Sequence, residues 1–305
     1  MNNQAKKISI VIIGYNTASY LPETLNALNN LQVNQEDVEV IYVDDGSTDN
    51  SCDIFNTTEL NFRKKILELK KNSGRVVARS KGIELATYDW ILFLNSNIQV
   101  NKDLIVEYIK STSHCDALVY MGSLKYTTED SIFYNYLNHP NRGMNNYKNH
   151  MLVDYKNVLF SNCLIKRSVF DKVNFNKNLR FYGGEELDWA YRMNKKFPNE
   201  IRASKYASAL RNNHPDFINH TKKLIEFGQF NFIELNEGLQ LDIVKYKILL
   251  QSNRLFLFIF KILLKLSFKL YKIPILNRIM IRLGLLSAIL QGYYKTKLSG
   301  DFKVT

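Results

Sequence analysis

Cysteine is scarce in this chain: Cys52, Cys115 and Cys163 are its only three, scattered over 305 residues. Their spacing suits neither a zinc site nor a disulfide framework, which points to a reducing, cytoplasmic setting. A long uncharged apolar run is also missing. Nowhere do about 18 such residues follow one another, so no segment reads as a membrane span. The opening MNNQAKK leads straight into a strand-like run with no signal-peptide hydrophobic region, in keeping with the same compartment. The composition of a disordered chain is absent as well, since 46% of the residues are hydrophobic. Despite a formal net charge of +12 there is no nucleic-acid recognition motif and no basic cluster interleaved with base-stacking aromatics. Nucleic acid is therefore set aside as a partner. The basic residues that stand out lie in the last fifty positions, among long apolar side chains, a pairing suited to an anionic membrane surface.

The stretch Ile8 to Asp49 carries the clearest signal. ISIVIIGYN is an apolar strand ending in a small polar turn, Gly14-Tyr15-Asn16, and VEVIYVDDGSTDN is a second such strand ending in Asp44 and Asp45. Near-continuous apolar runs suit parallel strands buried on both faces. Ligands of open α/β sheets bind beyond the carboxyl ends of such strands, so these two polar ends point to a nucleotide pocket. Between them, Leu21, Leu25 and Leu28 have helical spacing, with Pro22 tolerated near the start. Asp49 or Asn50 can cap a short following helix. A third strand is expected at Lys65–Leu69, a helix at Gly74–Ala86 and a fourth strand at Trp90–Leu94, ending in Asn95-Ser96-Asn97. That alternation predicts a doubly wound, mainly parallel sheet with flanking helices.

Further along, a helix is expected at Asp103–Ser111 and strands at Ala117–Met121 and Leu159–Lys166. The polar, Asn- and Tyr-rich residues from about Thr127 to Asn157 read as a long surface loop or lid. Gly183-Gly184 precedes a helix bearing Glu185, Glu186, Asp188 and Trp189. From Arg254 the chain becomes apolar and basic, interrupted by Pro274. Lys261, Lys265, Lys269 and Lys272 share one helix face, and Arg278 and Arg282 repeat the spacing. Two basic amphipathic helices lying in a membrane interface fit this pattern. The other reading is a helix pair packed on the main domain with snorkelling lysines.

Together these stretches resemble a family 2 glycosyltransferase with the GT-A fold, over about Ile8 to Phe232. SIVIIGYN is similar to the family's opening strand and VIYVDDGSTDNS to its nucleotide-binding signature. NSGRVVARSKGIELATYDWILFLNSN is similar to the segment leading to the metal motif, and FYGGEELDWAYRM to the one that supplies the catalytic base. The resemblance implies a GT-A domain over 1–238, with a nucleotide-binding half at 1–97 and an acceptor half at 98–238, and the basic amphipathic pattern adds a membrane-associating tail at 239–305. It implies that Gly14, Tyr15, Asn16, Asp44, Asp45, Ser47, Arg79, Asn95 and Asn97 bind the donor. Asp45 would accept a hydrogen bond from a pyrimidine imino group, with Asp44 and Ser47 shaping its turn. Glu186 would be the general base, within reach of the acceptor hydroxyl. A helix N-terminus favours negative charge at that point. Glu185 and Asp188 would hydrogen-bond acceptor hydroxyls and Trp189 would offer a stacking surface.

One departure from the family pattern concerns Asn95-Ser96-Asn97, where an aspartate-x-aspartate motif usually holds a divalent cation. Mg2+ and Mn2+ favour charged oxygen ligands, and an Asn offers only a neutral amide oxygen. Three readings stay open: a metal held mainly by the diphosphate with Asn97 and His214, cationic side chains in its place, or a non-catalytic nucleotide-sugar-binding partner subunit. The expected function is an inverting glycosyltransferase using a nucleoside-diphosphate sugar, UDP-sugars favoured, and a glycan or lipid-linked acceptor. Cell-surface polysaccharide or glycolipid synthesis is the expected process. The expected place is the inner face of the cell membrane, peripherally bound.

Overall fold

In the computed structural model, residues 6–251 and 253–299 are described. From the amino end the elements are β1 (Ile8–Gly14), α1 (Leu21–Asn29), β2 (Val38–Asp44), α2 (Ser51–Thr57), β3 (Arg63–Glu68) and α3 (Arg75–Leu85). Then come β4 (Trp90–Asn95), β5 (Ile98–Val100), α4 (Leu104–His114), β6 (Val119–Tyr126), α5 (Ser131–Leu137), β7 (Asn162–Lys166) and α6 (Glu185–Lys196). The last are β8 (Ile201–Arg211), α7 (Phe217–Phe230), α8 (Glu237–Val244), α9 (Arg254–Leu270) and α10 (Asn277–Ser299). The chain divides into two compact units. Among the described residues, one holds those from 6 to 127, Asn138–Phe175 and Trp189–Asn213; the other holds Thr128–Leu137, Asn176–Asp188 and those from His214 onward.

The first unit is built on an eight-stranded sheet in the order β3-β2-β1-β4-β7-β6-β8-β5. Strands β3, β2, β1 and β4 are mutually parallel, as their alternation with helices predicts. β7 lies antiparallel to both β4 and β6, and β5 antiparallel to β8, so the sheet is mixed. Every residue of β1 and β2 is buried, as their near-continuous apolar runs predict, and so are the polar Ser9 and Glu39 within them. β3 starts two residues earlier than expected, because its charged, partly exposed edge position gives little apolar signal. The register places Gly14 beside Asp44 and Ile13 beside Asn95. The polar ends of β1, β2 and β4 thus arrive together at one edge of the sheet.

At the opposite end of β2, Glu39 is fully buried. Its Oε1 accepts hydrogen bonds from the Ser9 hydroxyl at 2.6 Å and from the Thr87 backbone N–H and hydroxyl, each at 2.7 Å. The Lys65 ammonium stands 2.9 Å from Oε2. Burial alone would raise this carboxyl's pKa, but the bonds from Ser9, Lys65 and Thr87 outweigh it and hold the value down to about 2. One side chain therefore ties β1, β2, β3 and the approach to β4.

The second unit is helical. Residues 127–157, expected as a long surface loop or lid, are not loop throughout. They contain α5, whose first turn is capped by Asp130 Oδ1 accepting from the N–H groups of Ile132 and Phe133 at 3.1 and 3.0 Å. Asp130 Oδ2 accepts from the Tyr271 hydroxyl at 3.1 Å. Residues from 239 onward share a compact unit with those from His214. α10 is not a surface amphipathic helix: Ile281, Ala288, Leu290, Tyr293 and Tyr294 are all buried. It lies against α7 and α9. Gly228 of α7 faces the backbone of Ile289, and Gly292 of α10 faces that of Ile225 and Gln229. A Cβ at either position would collide with backbone, so glycine permits the close approach. Among the described residues no helix is long and apolar enough to cross a membrane.

Glu39→Gln is expected to lower stability at pH 7 by about 3 kcal/mol. The carboxyl is depressed from 4.5 to about 2, so its contribution is complete above pH 4.5 and lost as pH falls through about 2. Urea titrations across that window should show a flatter acid limb for the variant than for the parent chain.

Candidate functional site

Three turns of the first unit are hydrogen-bonded into one polar surface at the carboxyl edge of β1 and β2. Gly14 ends β1 with no room for a side chain, because a Cβ would run into the Tyr42 hydroxyl and lie 2.9 Å from two of its ring carbons. Asn16 turns the chain with a left-handed φ of 53°, a conformation Asn tolerates. Its backbone N–H donates to Ser47 Oγ and its Oδ1 accepts from the Thr48 N–H, both at 2.8 Å. Tyr15 beside it is exposed.

The adjacent carboxylates, both buried, have different tasks. Asp44 serves its own turn, accepting from the Ser47 N–H at 2.7 Å and the Ser47 hydroxyl at 2.5 Å. Asp45 donates its backbone N–H to the Gly14 carbonyl at 2.8 Å. Its carboxylate reaches the loop before α3, accepting from the N–H groups of Ser73 at 2.7 Å and Gly74 at 2.9 Å. Burial pushes the Asp45 carboxyl above the usual range, against the pull of these two N–H bonds. Each of its oxygens keeps a lone pair beyond the bond it already accepts. Gly46, at φ +74°, packs against the backbone of Lys71 and Asn72 and so closes the gap between these turns.

Arg79, on α3, is buried rather than on a solvated helix face, and its guanidinium carbon lies 5.1 Å from the centre of the Phe160 ring. Asn95 donates its side-chain amide to Ser161 Oγ at 2.8 Å, and Asn97 donates to the Asn212 carbonyl at 2.9 Å. Each amide thus gives an N–H to protein and has a neutral oxygen. No cluster of three or more His, Cys, Asp or Glu side chains suited to a metal occurs among the described residues. The side chains of Asn95 and Asn97 offer only neutral amide oxygens, where a hard divalent cation favours charged ones.

The expected base segment opens α6 in the second unit. Gly183 and Gly184 take φ values of 82° and 87°, open to glycine at little cost. The fully buried side chain of Asn231 clamps this turn. Its amide donates to the carbonyls of Phe181 at 2.8 Å and Gly183 at 2.7 Å, and its Oδ1 accepts from the Phe181 N–H at 3.2 Å. The Asp188 N–H donates to the Gly184 carbonyl at 2.8 Å, which starts the helix. Glu185 and Asp188 are buried and Glu186 is half-buried. His214 also belongs to this unit; its Nδ1 lies 2.8 Å from the Pro215 carbonyl and its ring packs against Phe133 and His220.

Trp189 corrects the sequence reading. Its ring is fully buried between Phe160 and Phe170, and its indole N–H donates to the Val173 carbonyl at 2.8 Å. No ring face is exposed for an acceptor to stack on. Ser73, Gly74 and Asn231 are the contributors that sequence reasoning missed. The first two act through backbone N–H groups, and only the glycine before a helix hints at them. Asn231 ends α7 with nothing in its local pattern to mark a clamp.

A model of the family described as glycosyl transferase family 2 matches residues 9–173. Glycosyltransferase GlyG of Streptococcus pneumoniae serotype 4 is 30% identical over 188 residues, covering 57% of this chain and 61% of that protein. Poly(ribitol-phosphate) beta-glucosyltransferase of Bacillus spizizenii is 34% identical over 121 residues, or 39% of this chain and 19% of that one. The chain thus spans less than two thirds of either curated relative. The crystal structure of S. aureus TarS 1–349 in complex with UDP superposes with a TM-score of 0.60 at 15% identity, covering 97% of this chain and 93% of that one. This likeness concerns the fold, which is of the GT-A type.

Asn231→Ala leaves two carbonyls and an N–H of the 181–183 turn without their partner. It is expected to cost about 2–4 kcal/mol, read from urea unfolding.

Proposed function

Because the chain belongs to glycosyl transferase family 2, whose model covers residues 9–173, we propose that it transfers one sugar from a nucleoside-diphosphate sugar to a saccharide or lipid-linked acceptor. UDP-sugars are favoured as donors, in keeping with the UDP held by the TarS structure of the same fold. Synthesis of a cell-surface polysaccharide or glycolipid is the fitting process, and the poly(ribitol-phosphate) glucosyltransferase relative supports it. The observation that carries the reading is the junction of the β1 and β2 turns with the loop before α3, built on Asp44, Asp45 and Asn16. Such a polar strand-end surface suits a nucleotide.

In this reading Gly14, which leaves room for the Tyr42 ring, ends β1 at the donor site, and Asp45 uses its remaining acceptor capacity on the base. Tyr15, Asn16, Asp44 and Ser47 form the wall of the donor site, with Arg79, Asn95 and Asn97 beside the diphosphate. Glu186 takes the proton of the acceptor hydroxyl. The acceptor oxygen then forms a bond to the anomeric carbon as the bond to the diphosphate breaks on the opposite side, its electron pair leaving with the diphosphate. The configuration inverts. Glu185 and Asp188 hold other acceptor hydroxyls. Since 95–97 offers no anionic ligand, no step is assigned to Mg2+ or Mn2+. The reading places the protein on the cytoplasmic face of the membrane, where a lipid-linked acceptor has a raised effective concentration.

The second reading, a nucleotide-sugar-binding partner without turnover, is favoured by one feature, the two amides at 95 and 97. Glu186→Gln separates the two. Transfer should be abolished while donor affinity, measured by calorimetry, stays within a few-fold; retained turnover moves the base elsewhere, and a parent chain that binds donor without turning over leaves the second reading. Calorimetry of nucleoside diphosphates with and without Mn2+ is expected to show binding that changes little with the metal. Strong metal dependence would restore a cation to the site.

A further inference from the structure

α9 is apolar almost all round, yet the fold uses only one side of it. Phe260, Leu264 and Ser267 are buried, and Tyr271 just beyond the helix continues the same line. Successive residues of a helix are turned by about 100°, so these positions fall on one narrow face. Leu255, Phe258, Ile262 and Leu266 fall on the opposite face, centred about 180° away. All four are exposed, Phe258 by 62%. Past the helix, Ile275 is 90% exposed and Ile279, at the start of α10, is exposed as well. Lys261, Lys265 and Lys269 are exposed along one edge of this outer stripe, and Lys272, Arg278 and Arg282 are exposed beyond it. From residue 254 to 299 there is no acidic side chain at all.

We propose that the outer face of α9, with the turn from Ile273 to Ile279, docks the protein onto anionic phospholipid. Charge decides the occupant. A second copy meeting this face would set lysine rows of like charge against each other, with no carboxylate within 254–299 to offset them. An anionic bilayer offers apolar depth for Phe258 and Ile262 and phosphate at the level where lysine stems end. The 17 residues of α9 rise about 25 Å, but its inner face is held by the fold, so the helix lies in the plane of the interface instead of spanning it. α10 contributes only its start, where Arg278, Ile279 and Arg282 are exposed, because Ala288, Leu290, Tyr293 and Tyr294 farther along it are buried. This narrows the membrane contact to α9 and the start of α10. It rests on the proposed transferase reading only for its purpose, because lipid binding is measurable without donor or acceptor.

The test is co-sedimentation of the full chain with vesicles of phosphatidylcholine alone and with added phosphatidylglycerol, over a salt series. Binding is expected only with phosphatidylglycerol and should weaken as salt rises. Phe258→Ser with Ile262→Ser should reduce it by about tenfold or more. Lys261→Gln, Lys265→Gln and Lys269→Gln together should reduce it by about a hundredfold and flatten the salt dependence. None of the five positions is in the core, so both variants should unfold like the parent. Equal binding to the two vesicle types, no binding, or unchanged binding by both variants would overturn the proposal. So would self-association of the parent chain that the Phe258 and Ile262 substitutions abolish, which would make a second copy the occupant. Lipid binding without turnover would count against the transferase reading alone, and turnover on a soluble acceptor without lipid binding against the docking surface alone.

Discussion

The first unit depends on a requirement that buried carboxylates impose: each must find hydrogen-bond donors, since burying one unpaired costs more than most single contacts return. β2 carries such a group near each end. Glu39 gathers donors from β1, from β3 and from the loop entering β4. At the other end Asp44 and Asp45 gather them from their own turn and from the loop entering α3. A strand braced this way at both ends cannot slip against its neighbours without stranding a charge. The edge on which the polar turns meet is therefore fixed by groups that also belong to the core.

Much of this was legible in the residues. The near-continuous apolar runs of β1, β2 and β4 announced strands buried on both faces, because a short run bounded by polar turns has no solvated face to alternate with. Gly14, Asn16 and the Asp44-to-Ser47 turn were legible for a related reason, since turn chemistry depends on side-chain identity. The partners of Asp45 were not. Ser73 and Gly74 donate through the backbone, which every residue other than proline possesses. Asn231 acts across 48 to 50 positions of chain, a distance that no local pattern encodes. Trp189 was misread because a tryptophan beside acidic residues looks the same on paper whether its indole N–H meets a sugar or a carbonyl in the core.

The helical unit exposes a limit of periodicity itself. α5 occupies only seven residues in an Asn- and Tyr-rich stretch, and its anchor, Tyr271, comes 141 positions after Asp130. α9 and α10 look alike as apolar sequences bearing basic residues, but one presents a free face and the other is packed. What separates them is small residues: Gly284, Ala288 and Gly292 recur every fourth position of α10, as no such residues do in α9.

Glycine at 228 and 292 has a consequence for how this sequence can drift. Where two helix backbones touch, the contact works as a ratchet tooth: α10 seats on α7 only when residue 292 meets Ile225 and Gln229. Inserting or deleting one residue between 284 and 292 would turn the rest of α10 by about 100° and bring a large side chain to that notch. The link from Lys272 to Leu276 bears no such constraint. Length variation should therefore be tolerated in that link and purged from the middle of α10, however alike the two segments are in composition.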